Sequence, residues 1–173
     1  MEATRITTKE IQKTQELIDF IKKSPSCYHV IHNIAEEFEE AGYEQLNEAK
    51  EWTLRKGGRY FVTRNQSSLI AFTLPEETLG GFLICASHSD SPTFKLKSNY
   101  EMTVDDRYLK LNVEKYGGMI CSTWLDRPLS VAGRVVVNRK EGIESVLVNL
   151  DQDLCLIPNL AIHMNRQINE GYA

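Results

Sequence analysis

The chain has 173 residues and a mass of 19.8 kDa. Surface scaling for that mass gives about 8,600 Å² of accessible surface when folded, against about 28,700 Å² unfolded, so a single domain or one and a half small ones with a real core is expected. Hydrophobic residues make up 42% and charged residues 25%, while a net charge of −4 and a pI near 5.6 argue against nucleic acid as the main partner, because phosphate binding needs a basic face.

The first 41 residues read as two helices. Thr7 and Glu10 form a capping box for the first, and Ile11, Leu17, Ile18 and Ile21 share one of its faces. Pro25 cannot continue that helix, so it ends at Ser24-Pro25-Ser26. The second is predicted from Tyr28 to Ala41, with Val30, Ile31, Ile34, Ala35 and Phe38 as its apolar stripe and Gly42 beyond its end. Seven Glu against one Lys between Glu36 and Glu51 read as a solvated face.

Two strands follow, Arg59 to Arg64 and Ser68 to Leu74. Phe82 to Ser87 is a continuous apolar run of strand length, suited to a central strand covered on both faces. It runs into His88-Ser89-Asp90-Ser91-Pro92. That places His88 and Asp90 at a strand's C-terminal end, where open α/β sheets bind ligands. From residue 93 short strands dominate: Thr93 to Lys97, Tyr108 to Glu114, Arg134 to Asn138 and Ser145 to Asn149. The Gly57-Gly58, Gly80-Gly81 and Gly117-Gly118 pairs read as turns. A boundary near 93–97 separates a mixed α/β piece from a mostly β piece.

No apolar run reaches the roughly 18 residues of a membrane span. The polar start, MEATRITTKEIQK, has no apolar signal-peptide core. A cytoplasmic location and no membrane partner are expected. Cys27, Cys85, Cys121 and Cys155 form no CxxC pair, and they read as reduced packing thiols rather than a zinc knuckle.

Four histidines carry most of the chemical possibility. His29 and His32, three apart on the second helix, read as helical surface or half-buried residues. His88 is followed two residues on by Asp90, and a metal-bound imidazole needs its second ring nitrogen held by a carboxylate or carbonyl. The pattern is compatible with a metal or catalytic role and equally with a structural hydrogen-bonded pair. His163 lies on the more polar side of a short segment in which Leu160, Ile162 and Met164 alternate with Ala161, His163 and Asn165, and by itself it reads as structural. There is no Gly-x-Ser-x-Gly elbow, no GxGxxG and no Walker loop. The acids after Asp90 are scattered, among them Asp126; Asp105, Asp106, Asp151 and Asp153 read as solvated loop acids.

Three stretches, taken together and in order, resemble the aspartyl aminopeptidase family of dinuclear zinc exopeptidases. They are Ala86 to Pro92, Tyr116 to Arg134, and Ile157 to Arg166. The resemblance implies the N-terminal part of an α/β zinc-peptidase domain, residues 1–95. The start of a β-rich insertion domain, residues 96–173, follows; in the family it makes dimers that assemble further. It implies that His88 ligates zinc and that Asp90 supports it. It gives His163 one of two roles: a zinc ligand, or a residue reaching a partner subunit's site. It also implies two zinc ions per complete site and peptide substrates with an acidic first residue.

Family chains are more than twice this long. Their bridging aspartate, Glu-Glu pair, further acidic ligand and late histidine have no counterpart here. Glu36-Glu37, Glu39-Glu40 and Glu76-Glu77 all precede the His88 motif and do not fill that role. The chain is therefore expected to be an N-terminal portion of a zinc aminopeptidase that is inactive alone. The rival readings are a non-catalytic assembly or interaction fragment and a product with no stable fold.

Overall fold

The computed structural model describes residues 6–170; the first five residues of the polar N-terminal stretch and the last three of the chain lie outside the described residues. The fold is mixed α/β, with the element order α1 (Thr8–Lys23), α2 (Cys27–Glu40), β1 (Glu44–Leu46), β2 (Arg59–Arg64), β3 (Ser68–Thr73), β4 (Thr93–Val104), β5 (Tyr108–Tyr116), β6 (Ala132–Arg139) and β7 (Gly142–Asn149). Short 3-10 turns occupy Cys121–Trp124 and Ile162–Met164. No helix among the described residues is long and apolar enough to cross a membrane.

The chain divides into two compact units. One holds residues 1–91 and 132–149; the other holds 92–131 and 150–173. Segment 132–149 is the hairpin β6–β7, which clusters with the first unit although it lies late in the chain.

In the first unit, α1 begins with the expected capping box. Glu10 N–H donates to Thr7 Oγ1, and Thr7 N–H donates to the Glu10 carboxylate at 2.6 Å. Its C-terminal end is closed from the neighbouring helix: Asn33 Nδ2 of α2 donates to the Lys23 carbonyl at 3.0 Å and to Ser24 Oγ at 2.9 Å. The three-stranded sheet runs β1-β2-β3, with β1 parallel and β3 antiparallel to β2. As the middle strand, β2 is the best-buried element: Tyr60 is 1% and Phe61 0% exposed. Phe61 stacks on Phe38 of α2 at 6.0 Å between ring centroids. Tyr60 contacts its cross-strand partner Phe72 at 5.6 Å, and its hydroxyl accepts from the Arg55 N–H at 2.8 Å. Ile31 and Val62 complete the buried apolar core among the described residues.

In the second unit, β4 and β5 form an antiparallel ribbon with a register shift between Leu96 and Glu101. Asp105 and Asp106 make its turn, both at positive φ, as a primed hairpin turn requires. Leu129 and Cys155 form an isolated antiparallel bridge.

Three expectations are corrected. Phe82 to Ser87 is not a paired strand; it is irregular, and Phe82 and Leu83 are 82% and 103% exposed. An apolar strand needs ladder partners and cover, and this chain provides neither at that position. Cys85 shares the fate of its segment and is exposed rather than packed, as is Cys121. Gly80-Gly81 forms no turn; it belongs to the same unpaired stretch. The Glu36 to Glu51 run is a solvated face, with ion pairs from Lys23 to Glu37, Arg55 to Glu44 and Arg64 to Glu48.

Candidate functional site

The loop after the unpaired apolar segment carries His88, Ser89 and Asp90. His88 Nδ1 lies 2.8 Å from Asp90 Oδ1. An ionised carboxylate only accepts, so Nδ1 is the donor, and in the neutral imidazole Nε2 then keeps its lone pair. That is the tautomer a metal-ligating imidazole needs. The His88 side chain is 91% exposed, and Asp90 is half-buried. His88 is therefore not at the end of a buried strand; it is on an exposed loop.

The loop is tied to the sheet by Ser89, whose Oγ donates to the Ser67 carbonyl at 3.0 Å. Ser67 belongs to the β2–β3 turn, where Asn65 and Gln66 both have positive φ, 51° and 56°. The same turn is held from β6. Arg134 Nη1 donates to the Asn65 carbonyl at 2.8 Å, and both Nη atoms lie 3.3 Å from Asn65 Oδ1. The guanidinium sits 4.3 Å from the centre of the Tyr28 ring.

His163 lies in the other unit, on the 3-10 turn Ile162–Met164, and is exposed. The short alternating segment expected at this point includes this turn. Asp126 anchors this region: its N–H donates to the Ile157 carbonyl, and its Oδ1 accepts from the Asn159 N–H, both at 2.9 Å. So Asp126, one of the scattered acids of the sequence, ties the Tyr116 to Arg134 stretch to the Ile157 to Arg166 stretch.

His29 and His32 do separate jobs on α2. His29 is buried, with Nδ1 2.8 Å from Ser26 Oγ; burial and then the neighbouring His32 lower its pKa. His32 pairs with Glu36 at 3.3 Å. Among the described residues, no group of three or more His, Cys, Asp or Glu side chains is placed to hold a metal ion. His88 is thus held through Nδ1 by a carboxylate, and among the described residues the shell a zinc ion needs is not assembled around it.

Sequence reasoning missed Ser89, Asn65 and Arg134 as parts of this loop's support. Ser89 and Arg134 stand inside recognisable stretches, but their partner turn lies 22 and 69 residues earlier, a separation that no local pattern encodes.

Residues 20–173 match the family described as aminopeptidase I zinc metalloprotease (M18). A probable M18 family aminopeptidase 2 of Clostridium acetobutylicum is 48% identical over 167 residues, covering 94% of this chain and 39% of its own length. Among solved structures, the cryo-EM structure of the Ape4 and Nbr1 complex matches with a TM-score of 0.85 and 41% identity, over 92% of this chain and 31% of that one. The mApe1 dodecamer of S. cerevisiae matches at 0.76 and 33%, over 86% and 36%. The chain spans about two-fifths of the length of the curated relatives it matches.

Proposed function

The chain belongs to the aminopeptidase I zinc metalloprotease (M18) family, and on that premise we propose that it is the N-terminal portion of a zinc-dependent aminopeptidase that removes acidic residues, Asp or Glu, from peptide N-termini. The observation that carries this reading is the His88–Asp90 pair, an exposed imidazole fixed in the ligating tautomer by a carboxylate at 2.8 Å. In this proposal residues 1–95 are peptidase domain and 96–173 are the start of the insertion domain.

Within a complete site built for two zinc ions, His88 holds one of them and Asp90 orients His88. His163 serves as a further ligand or reaches a partner subunit's site. Zinc supplies a polarised scissile carbonyl and a bound water of lowered pKa. This chain's contribution is to hold the imidazole proton on Nδ1. The remaining ligands and the general base come from polypeptide beyond these residues. The chain alone should therefore release no aspartate from an Asp-p-nitroanilide substrate, whichever of zinc, manganese or cobalt is added.

The test uses the complete enzyme and elemental analysis. His88→Ala should remove one zinc and abolish activity, because a site with three protein ligands does not tolerate losing one. Asp90→Asn should lower metal affinity about 10- to 100-fold. Equal zinc content in His88→Ala and wild type would sink the assignment.

The β4–β5 ribbon favours a second reading, an assembly module with or without catalysis. Met102, Tyr108 and Leu109 on it are exposed, and a two-stranded ribbon leaves its outer edges unpaired. Homo-oligomerisation through residues 96–173 fits both readings. The S. cerevisiae relative is a dodecamer.

A further inference from the structure

We propose that the β2–β3 turn at Asn65–Ser67 is the element that positions His88 and Asp90, with Ser89 and Arg134 as the positioning residues that act through it. The inference rests on the reading of His88 as a metal ligand.

The chain leading into the loop does not hold it. The residues leading into it, 80–87, are irregular, and among the described residues their backbone makes no hydrogen bond. The position of His88 must be fixed from elsewhere. Ser89 stands between His88 and Asp90, so its bond to the Ser67 carbonyl fixes the peptide on both sides of it. The carbonyl it uses is a firm anchor. Ser67 follows two residues at positive φ, and the turn hangs from β2, whose Tyr60 and Phe61 are the most buried side chains described.

Arg134 stiffens the anchor from the opposite partner. Its fork takes both the carbonyl and the side-chain oxygen of Asn65, and the Tyr28 ring holds the guanidinium in place. A lysine lacks the rigid planar fork that meets both oxygens at once while lying flat on the ring. The hairpin β6–β7 is thereby linked to the loop: Arg134 to Asn65, along the turn to Ser67, and on to Ser89 beside His88. All of these residues belong to the first compact unit.

The test is made on the full chain, labelled with nitrogen-15, at about pH 8. A long-range proton–nitrogen correlation shows which ring nitrogen of His88 bears the proton. Backbone relaxation gives order parameters for residues 87–90. Wild type should show the Nδ1–H form in the majority, with order parameters near the rigid value of about 0.85. Ser89→Ala, Arg134→Ala and Arg134→Lys should move His88 to the mixture of free histidine and drop those order parameters below about 0.6. Ser89→Thr keeps the hydroxyl and should restore wild-type behaviour. Arg139→Ala, which removes only the exposed pair with Glu144 on the same hairpin, should change nothing.

If Arg134→Ala loses the dispersed amide signals of Tyr60 and Phe61, it has unfolded, and Ser89→Ala with Arg134→Lys decide the matter. Wild-type order and tautomer in Ser89→Ala and Arg134→Lys would overturn the positioning role. A wild-type His88 already lacking the Nδ1–H majority would instead overturn the ligand reading on which the proposal stands.

Discussion

Asn33 is an amide in the middle of a helix, where its side chain would ordinarily be a weak choice. Its two bonds to Lys23 and Ser24 explain it: they supply donors to the end of α1. Asn33→Ala should cost about 1–3 kcal/mol in a urea titration, because a partly buried carbonyl is left without its donor. His29 gives a pH prediction with a definite sign. Its folded pKa is lowered by burial and then by His32, so the unfolded chain takes up the proton first as pH falls. Its stabilising contribution is complete above the unfolded value of about 6.5 and is lost as pH drops through the lowered folded value. Wild type should therefore lose more stability than His29→Gln between about pH 7.5 and pH 5.5, and equal losses would contradict the assignment. At this scale the capping box of Thr7 and Glu10 and the pairing of His88 with Asp90 were legible, because their partners lie two or three residues apart. The partner of Asn33 lies ten residues back and that of Arg134 69 residues back, and nothing in their neighbourhoods announced either.

Among the elements, periodicity and turn residues placed both helices and five of the strands within a few residues, and the start of a sixth, β4, which runs on past the expected Lys97 to Val104. Each is stabilised by local hydrogen bonds or by a hairpin partner close in sequence. The run from Phe82 to Ser87 has every strand signal and forms no strand, because strand formation is a pairing event and no neighbour is available. The apolar face of α1 is in the same position: Ile11, Leu17 and Ile21 are all exposed. Chymotrypsin should cut after Phe82 or Leu83 well before it cuts β2 or β3. Initial cleavage within 59–73 instead would show that the segment is covered in solution. Phe82→Ser with Leu83→Ser should leave Tm unchanged within about 2 °C while raising solubility, since neither side chain is buried on folding.

For the whole molecule, the accessible surface is 15013 Å². Even two separate units of these sizes are expected to expose only about 10,000 Å² between them. The excess is several thousand Å², the size of an obligate interface. Among the described residues the buried apolar core is Ile31, Tyr60, Phe61 and Val62, too small to close a protein of 173 residues. This supports the proposal that the chain folds against further polypeptide, as does its coverage of 39% of a relative's length. Purified alone, it should self-associate through its uncovered faces, and light scattering should give a mass that rises with concentration. A monomer mass independent of concentration would count against it.

The claim on which the rest depends is that His88 is a zinc ligand in a site completed by residues outside this chain. The direct measurement is zinc bound per chain, by elemental analysis after dialysis. The chain is taken alone and then paired with the C-terminal remainder of the Clostridium acetobutylicum relative. The chain alone should retain no zinc, the pair should retain it, and the pair carrying His88→Ala should lose one zinc. Zinc held equally by the wild-type and His88→Ala pairs, or held by the chain alone through His88, would contradict it.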